Sequence, residues 1–324
     1  MKFPTDDGVV SAVNGMDFSL ERGQTLGIVG ESGSGKSVTS QALMGLLKGT
    51  SAQVSGQAMF QGKDLVTLPE SAMRPLRGRN IGMIFQDPLS ALHPPFYTVG
   101  HQIAEAYLVH NKASKKQARA AAVDMLGRVG IPSPEQRYDE YPPHHFSGGM
   151  RQRAMIAMAL ICEPELLIAD EPTTALDVTV QAQILDLMSE LQEETNSALI
   201  LITHDLGVVA EVCDNVLVMY GGQCVESGPV DGIFYDTQHP YTLGLLNSMP
   251  TLNSASSQLN PIPGQPPSLL DLPKGCIFSA RCQYTELAGD GICANQRPEL
   301  LVEDGHGKRC HLSGPQIITI RNSR

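Results

Sequence analysis

A glycine-rich stretch at residues 30–37 has the residue types and spacing that bind a phosphate chain. It reads Gly-Glu-Ser-Gly-Ser-Gly-Lys-Ser and fits the pattern G-x-x-x-x-G-K-S. The glycines let successive backbone N–H groups turn towards phosphate oxygens, and Lys36 adds a positive charge for the β- and γ-phosphates. The hydroxyl of Ser37 suits Mg²⁺. The alternative is an ordinary glycine-rich turn, which the predicted strand and helix on either side disfavour.

Two acidic residues and one histidine follow apolar runs further along the chain. Asp170 is a candidate carboxylate for holding the coordination shell of Mg²⁺. Glu171 is a candidate group for orienting or deprotonating an attacking water. His204 follows the apolar run 198–202. Because α/β sheets place ligands at the carboxyl ends of their strands, His204 is a candidate contact of a γ-phosphate. The alternatives are a solvated acidic turn and an ordinary surface or core histidine.

The elements that would position these residues alternate between strands and helices, which is typical of an α/β fold with a parallel sheet. Apolar runs predict strands at 24–30, 57–60, 81–85, 166–169, 198–202, 216–220 and 223–226. Helical periodicity predicts helices at 36–47, 180–194 and 205–213, and an Ala-rich helical region over about 95–160 with a loop at 132–143.

The alternation of strand and helix patterns ends after residue 235, and this change divides the chain into two predicted domains. Residues 1–235 form the first, with a helical subdomain at about 88–160, and residues 236–324 form a C-terminal extension. Residues 250–275 are rich in proline and lack periodicity, which indicates a linker or extended arm.

Composition and charge exclude several classes of protein. The 324 residues are 42% hydrophobic and 18% charged, as in folded globular proteins. The net charge of −11 argues against a protein that binds nucleic acid through its overall electrostatic field. The longest apolar run, residues 154–162, is too short to cross a bilayer. The N-terminus has no apolar region of a signal peptide, so we expect a cytoplasmic location.

The octapeptide Phe146-Ser-Gly-Gly-Met-Arg-Gln-Arg153 resembles the signature sequence of the ATP-binding cassette (ABC) ATPases. Gln86 matches the Q-loop of that family, Ala175-Leu176-Asp177 the D-loop, His204 the switch histidine and Phe3 the aromatic that stacks on adenine. Met150 stands where many members have Gln, although some subfamilies carry Met.

The resemblance implies a P-loop NTPase fold with a helical subdomain, an antiparallel β subdomain and a Cys-containing C-terminal extension. It also implies ATP and Mg²⁺ as cofactors. The implied catalytic residues are Glu171, His204 and Gln86, and the implied Mg²⁺ ligands are Ser37, Gln86 and Asp170. The implied nucleotide contacts are Phe3, Gly30, Ser32, Gly33, Ser34, Gly35, Lys36, Ser37, Val38, Gln86, Asp170, Ser147, Gly148, Gly149 and Asp177.

Within this family, the sequence resembles one group in particular, the oligopeptide/dipeptide (peptide/nickel) permease ATPases. Its basis includes the stretch 168–183, His239-Pro-Tyr-Thr242 and Leu272-Pro-Lys-Gly-Cys276. It implies an ATP-hydrolysing subunit that powers peptide uptake, or uptake of nickel chelates, glutathione or other solutes. A soluble DNA-repair ABC ATPase is a rival that usually carries coiled coils or zinc modules. A non-hydrolysing regulatory cassette is disfavoured by Glu171 and His204.

The same resemblance implies partners and a location. The partners would be a second, related ABC ATPase subunit, two transmembrane permease subunits and an extracytoplasmic solute-binding protein that acts through the complex. Each nucleotide site would be composite, because Ser147 and Gly149 would reach the γ-phosphate held by the other cassette. The chain would lie peripherally on the cytoplasmic face of the inner membrane.

Four of the seven cysteines lie in the C-terminal extension, at Cys276, Cys282, Cys293 and Cys310. Their spacing, C-x5-C-x10-C-x16-C, contains no C-x2-C pair and fits zinc ribbons poorly. Four thiolates suit a zinc site or a 4Fe–4S cluster, and unliganded thiols are the remaining alternative. The family resemblance implies the 4Fe–4S cluster, in a structural role, at these four positions.

Overall fold

The computed structural model describes residues 1–92, 97–140, 142–174, 176–249 and 261–322. The predicted D-loop residue Ala175 and the first part of the predicted linker, residues 250–260, lie outside these ranges. Among the helices that are described, none combines the length and the apolar character needed to cross a bilayer.

The strands of the described ranges agree with most of the predicted ones and add short pairs near the two termini. They are β1 Phe3–Thr5, β2 Gly8–Val10, β3 Thr25–Val29, β4 Met59–Phe60, β5 Lys63–Asp64, β6 Ile81–Ile84, β7 Leu166–Asp170, β8 Ala198–Ile202, β9 Asn215–Tyr220, β10 Gln223–Pro229, β11 Leu301–Glu303 and β12 His306–Lys308.

The α-helices of the described ranges lie between and after these strands. They are α1 Lys36–Leu43, α2 Glu70–Met73, α3 Pro88–Ala91, α4 Val99–His110, α5 Lys115–Arg128, α6 Pro134–Glu140, α7 Gly148–Leu160, α8 Val178–Thr195, α9 Leu206–Val212, α10 Val230–Tyr235, α11 Pro240–Asn247, α12 Ile292–Asn295 and α13 Gly314–Asn322.

The chain divides into two compact units, and the first comprises residues 1–19, 26–58 and 203–324. Its main sheet has the strand order β11-β12-β10-β9-β3. Strands β3 and β9 pair in parallel, whereas β9, β10, β12 and β11 pair antiparallel. Every residue of β3 is buried, as expected for a parallel strand covered on both faces. The extension therefore supplies two strands to this sheet.

The second unit comprises residues 20–25 and 59–202. Strands β6, β7 and β8 pair in parallel, so their carboxyl ends lie at the same edge of the sheet. Helices α4 and α5 pack against each other, and α5 contributes the fully buried Ala118 and Ala122. Helix α5 begins with a capping box, in which Ser114 and Gln117 each bind the backbone N–H of the other.

Some predicted bounds were wrong. The predicted loop at 132–143 contains helix α6 at Pro134–Glu140. Helix α1 ends at Leu43 rather than at residue 47, because Met44 and Gly45 turn the chain and Gly45 adopts a positive φ of 65°. Helix α11, at Pro240–Asn247, was not predicted. His239 caps α11 by accepting a hydrogen bond from the N–H of Tyr241, which a sequence pattern does not reveal.

Candidate functional site

The glycine-rich loop lies between the end of β3 and the start of α1, as predicted. Gly30 and Gly35 both adopt positive φ angles, of 153° and 101°. A Cβ atom at Gly30 would lie 2.1 Å from the carbonyl oxygen of Met219, and one at Gly35 would lie 2.5 Å from that of Ala12. Neither position accepts a side chain, so the loop's tight curvature depends on these two glycines.

Lys36 and Ser34 place polar groups inside this loop. The Nζ atom of the buried Lys36 donates hydrogen bonds to the carbonyl oxygens of Gly30, at 2.7 Å, and Glu31, at 3.1 Å. The hydroxyl of Ser34 is buried and has no hydrogen-bond partner among the described residues. A buried hydroxyl without a partner costs free energy that a bound oxyanion recovers. The loop therefore fits a phosphate-bearing ligand.

The other predicted contacts of the first unit lie within the loop, in the first turn of α1 or after a strand. Ser32 and Gly33 are exposed, and the half-buried Ser37 and Val38 lie in the first turn of α1. Ahead of the exposed His204, the N–H of Thr203 donates to the carbonyl oxygen of Ile28 at 3.2 Å.

The predicted aromatic contact, Phe3, lies in β1 and is half-buried. Strand β1 pairs antiparallel with β2, and Phe3 faces Val10 in their register. Its stacking role on adenine stays a prediction.

In the second unit, the structure brings Gln86 and Glu171 together. Asp170, the last residue of β7, is buried, and Glu171 follows it with a positive φ of 48°. The Glu171 carboxylate accepts hydrogen bonds of 2.9 Å from Gln86 Nε2 and from the hydroxyl of Thr174. Sequence reasoning missed Thr174. Its position three residues after Glu171 is a signal for local hydrogen bonding.

The signature residues Ser147, Gly148 and Gly149 lie at the start of α7, also in the second unit. Ser147 is the N-cap, and its hydroxyl accepts a hydrogen bond of 3.3 Å from the N–H of Met150. A Cβ at Gly148 would meet no atom of the described residues within 4 Å, whereas one at Gly149 would lie 2.9 Å from Val180 Cγ1. Ser147 and Gly148 are exposed, so this helix start is open to solvent.

Asp177, the predicted D-loop acid, is the N-cap of α8. Its carboxylate accepts a hydrogen bond of 3.0 Å from the N–H of Val180. This contact explains where α8 begins, because an N-cap carboxylate satisfies a free N–H at the positive end of the helix. A role of Asp177 towards nucleotide stays a prediction.

The inferred 4Fe–4S cluster was wrong. The described part of the chain contains no group of three or more His, Cys, Asp or Glu residues arranged to hold a metal ion. The four cysteines line a cavity of about 10 Å³, which is barely the space for one water molecule. Burial raises the pKa of the Cys282 thiol to about 11 and that of Cys310 to about 12.

Burial also raises the pKa of Cys276 and Cys293. The family resemblance misled the inference, since the spacing by itself left a zinc site, a 4Fe–4S cluster and unliganded thiols open. Cys276 and Cys293 are buried in the extension, and Cys282 and Cys310 are half-buried.

Two family models match the chain. Residues 13–174 match the family described as ABC transporter. Residues 225–287 match the family described as oligopeptide/dipeptide transporter, C-terminal region. The first match includes the glycine-rich loop, Gln86, the signature octapeptide and Glu171, and the second includes His239-Pro-Tyr-Thr242 and Leu272-Pro-Lys-Gly-Cys276.

Curated relatives match over nearly the full length. The chain is 54% identical over 313 residues to the dipeptide transport ATP-binding protein DppD of Bacillus subtilis, covering 96% of this chain and 92% of that protein. It is 54% identical over 296 residues to the oligopeptide transport ATP-binding protein OppD of Escherichia coli, covering 91% of this chain and 86% of that protein.

Solved structures agree on the fold. The chain is similar to cbiO1 of Clostridium perfringens, part of the ABC transporter complex cbiONQ, with 31% identity and a TM-score of 0.60 over 73% of this chain and 89% of that one. The resemblance to ABC ATPases and the inferred fold class are confirmed. The chain belongs to the ABC transporter family, as an ABC-type ATPase in the group of oligopeptide and dipeptide transport ATP-binding proteins.

Proposed function

We propose that this chain hydrolyses ATP to power the import of dipeptides or oligopeptides through partner permease subunits. The observation that carries the proposal is the 54% identity to proteins named for dipeptide and oligopeptide transport, which extends through the C-terminal region. ABC cassettes are shared by many transporters, whereas this extension is characteristic of the peptide group. Its presence therefore favours peptides over unrelated solutes.

In the proposed mechanism, the loop amides and Lys36 bind the β- and γ-phosphates of ATP. The buried Ser34 hydroxyl, which has no hydrogen-bond partner within the described ranges, and the side-chain-free Gly30 and Gly35 support this role. Ser37, Gln86 and Asp170 are the proposed ligands of Mg²⁺, which neutralises charge on the phosphates when bound.

Glu171 is the proposed group that orients or deprotonates the attacking water. The hydrogen bonds from Gln86 and Thr174 fix its carboxylate, which supports that assignment. His204 is the proposed contact of the γ-phosphate. Ser147 and Gly149 would complete the site of a second cassette, and the exposed start of α7 supports such an arrangement.

We further propose that the partner cassette is a related but different chain, so that the working pair is a heterodimer. Two permease subunits would hold it at the cytoplasmic face of the inner membrane, and an extracytoplasmic binding protein would deliver the substrate. Residues 1–235 are the proposed cassette and residues 236–324 the proposed extension.

Uptake by cells that lack this chain tests the proposed function. We expect deletion to abolish uptake of labelled dialanine or trialanine, and re-expression of the wild-type chain to restore it. Re-expression of the Glu171→Gln variant should not restore it. If deletion instead blocks uptake of glutathione or of a nickel–histidine chelate and leaves peptides unaffected, the peptide assignment is wrong and the alternative solute import is correct.

A further inference from the structure

A residue of the phosphate-binding loop is bound by an arginine of the C-terminal extension, 250 positions away in the sequence. Arg281 Nη1 donates a hydrogen bond of 2.7 Å to Glu31 Oε2, and Nη2 donates one of 3.1 Å to Oε1. The Arg281 side chain is only 6% exposed and that of Glu31 is 26% exposed. Paired, charge-assisted hydrogen bonds of this kind are stronger and more directional than single ones.

Arg281 is held from several sides, so its guanidinium has one orientation. Its Nε donates to the carbonyl oxygen of Pro263 at 2.8 Å, and Nη2 also donates to that of Ile262 at 3.2 Å. Nη1 donates to the Tyr220 hydroxyl at 3.3 Å. Burial alone would lower the pKa of Arg281, but its hydrogen bonds to Glu31 and Tyr220 outweigh this effect and raise it. The guanidinium is therefore a fixed cation.

Glu31 is held at its backbone as well as at its carboxylate. Its N–H donates to the hydroxyl of Tyr241 at 3.0 Å, and its carbonyl oxygen accepts from Lys36 Nζ at 3.1 Å. Tyr241 is fully buried, and its ring centroid lies 4.6 Å from that of Tyr220. Two residues of the extension, Arg281 and Tyr241, thus fix the residue that follows the first glycine of the loop.

We propose that Arg281 is a positioning residue of the nucleotide site, which holds the loop through Glu31 in the shape that binds phosphate. The inference rests on the proposed role of the loop in binding ATP. A loop that is fixed beforehand loses less conformational entropy when its ligand binds. Arg281 thereby raises the affinity for ATP and couples the extension to the cassette.

The rival explanation is that the contact only attaches the extension to the rest of the unit. In that case, loss of Arg281 lowers the free energy of unfolding and leaves nucleotide affinity unchanged in the molecules that remain folded. The test must therefore measure affinity and stability separately, on the full chain.

The experiment measures binding of a fluorescent N-methylanthraniloyl ATP with Mg²⁺, together with KM and kcat for ATP. We expect Arg281→Ala to raise both the dissociation constant and KM about tenfold, with kcat changed by no more than about threefold. Arg281→Lys should lie between wild type and Arg281→Ala, because a lysine keeps the charge without the paired geometry.

A double-mutant cycle with Glu31→Ala tests whether Arg281 acts through Glu31. Glu31→Ala should weaken binding to a similar extent, and the double variant should bind no worse than either single variant. If the two effects multiply in the double variant, Arg281 does not act through Glu31 and the proposal is overturned. Should Arg281→Ala fail to fold, Glu31→Gln provides the same comparison, with several-fold weaker binding as the expected result and unchanged binding as the contrary one.

Arg309→Ala is the matched control. Arg309 also anchors the extension, because its Nε donates to the carbonyl oxygen of Cys224 at 2.8 Å and its Nη1 to that of Pro298 at 3.3 Å. Its removal should leave ATP affinity within about twofold of wild type. Equal weakening by Arg281→Ala and Arg309→Ala would support the attachment explanation. If the wild-type chain binds no nucleotide, the proposed function fails before Arg281 is tested.

Discussion

Gln86 donates a hydrogen bond of 2.9 Å to the carboxylate of Glu171, so residues that follow two neighbouring strands fix one acidic group. Their strands pair in parallel, with Ile84 opposite Ala169. Glu171 itself adopts a φ of 48°, a left-handed conformation that residues other than glycine, asparagine and aspartate rarely adopt. Strained backbone of this kind is often found at functional sites, where the surrounding structure maintains it.

The first prediction concerns the carboxylate of Glu171. Substitution Glu171→Gln keeps the shape of the side chain and removes its negative charge. Because a positioned general base contributes about 10²- to 10⁴-fold to a rate, we expect kcat for ATP hydrolysis to fall at least about 100-fold. ATP affinity should stay within about threefold of wild type, since the phosphate contacts lie in the glycine-rich loop. Phosphate release and equilibrium nucleotide binding measure the two quantities.

Glu163→Gln is the control for Glu171→Gln. Glu163 also adopts a positive φ, of 50°, and is exposed. Its substitution therefore reproduces the chemical change and the backbone conformation without touching the proposed site. We expect unchanged hydrolysis. Residual activity of Glu171→Gln above a tenth of wild type would show that this carboxylate is not the essential base.

The second prediction concerns the buried hydroxyl of Ser34. Because this hydroxyl has no partner among the described residues, Ser34→Ala removes an unfavourable buried group and should leave the nucleotide-free protein as stable as wild type or slightly more so. The stabilisation by ATP should shrink, because the alanine cannot bind a phosphate oxygen. Thermal unfolding with and without ATP and Mg²⁺ measures both effects.

Thr242→Val is the matched control for Ser34→Ala. The hydroxyl of Thr242 is likewise buried without a partner among the described residues, but it lies in α11 rather than in the loop. Its removal should leave the shift in melting temperature by ATP unchanged. An undiminished shift in Ser34→Ala would instead mean that Ser34 does not contact the nucleotide.

The cassette was predictable from sequence because its motifs are local. The spacing of residues 30–37, together with the apolar runs before Asp170 and His204, specifies strand, loop and helix within short windows. The family resemblance assigned Gln86 and Glu171 to one site, but their hydrogen bond was not predicted, since 85 positions separate them. No periodic pattern connects residues that far apart.

The extension was less predictable, because its structure depends on contacts across long sequence distances. Arg281 and Glu31 are 250 positions apart, and neither stands out within its own segment. The four cysteines show the opposite error: the family resemblance implied a metal cluster, whereas the described part of the chain holds no group of three or more His, Cys, Asp or Glu residues that fits a metal ion. A sequence pattern shows which side chains are close together along the chain, but it does not show how deeply the fold buries them.

The third prediction is a loss of stability in weak acid that depends on His239. Burial lowers the pKa of His239 from its ordinary value of 6.5 to about 3. Below about pH 6.5 the unfolded chain therefore binds a proton that the folded protein excludes, and stability falls as pH falls. From about pH 7.5 to about pH 5.5, this single group should cost about 1.4 kcal/mol of the free energy of unfolding.

His239→Asn isolates the contribution of His239 to this loss. The asparagine keeps an oxygen that can accept the N–H of Tyr241, as His239 Nδ1 does at 3.0 Å, and it does not titrate. Urea unfolding at several pH values should show a shallower loss of stability in this variant. A substitution of the exposed His144 by asparagine serves as the control and should keep the wild-type slope. Identical slopes for wild type and His239→Asn would contradict the prediction.

The fourth prediction concerns the fully buried carboxylate of Glu226, which joins three parts of the first unit. It accepts a hydrogen bond of 3.1 Å from the N–H of His239 and another from the N–H of Gln238, and it lies 2.8 Å from Nε2 of His306. Glu226→Ala leaves these three groups without their acceptor in a buried environment. We expect the free energy of unfolding to fall by about 3 kcal/mol, as for other buried charged groups whose partner is removed.

Urea unfolding followed by circular dichroism measures this change at neutral pH. Glu211→Ala, at an exposed position of α9, is the control and should change the free energy of unfolding by no more than about 0.5 kcal/mol. Because Gln238 and His239 precede α11, which carries Tyr241, loss of Glu226 should also loosen the hydroxyl that binds the N–H of Glu31. ATP affinity should then fall together with stability in Glu226→Ala but not in Glu211→Ala. Loss of stability with unchanged ATP affinity would show that fixing the start of α11 does not help to hold the phosphate-binding loop in place.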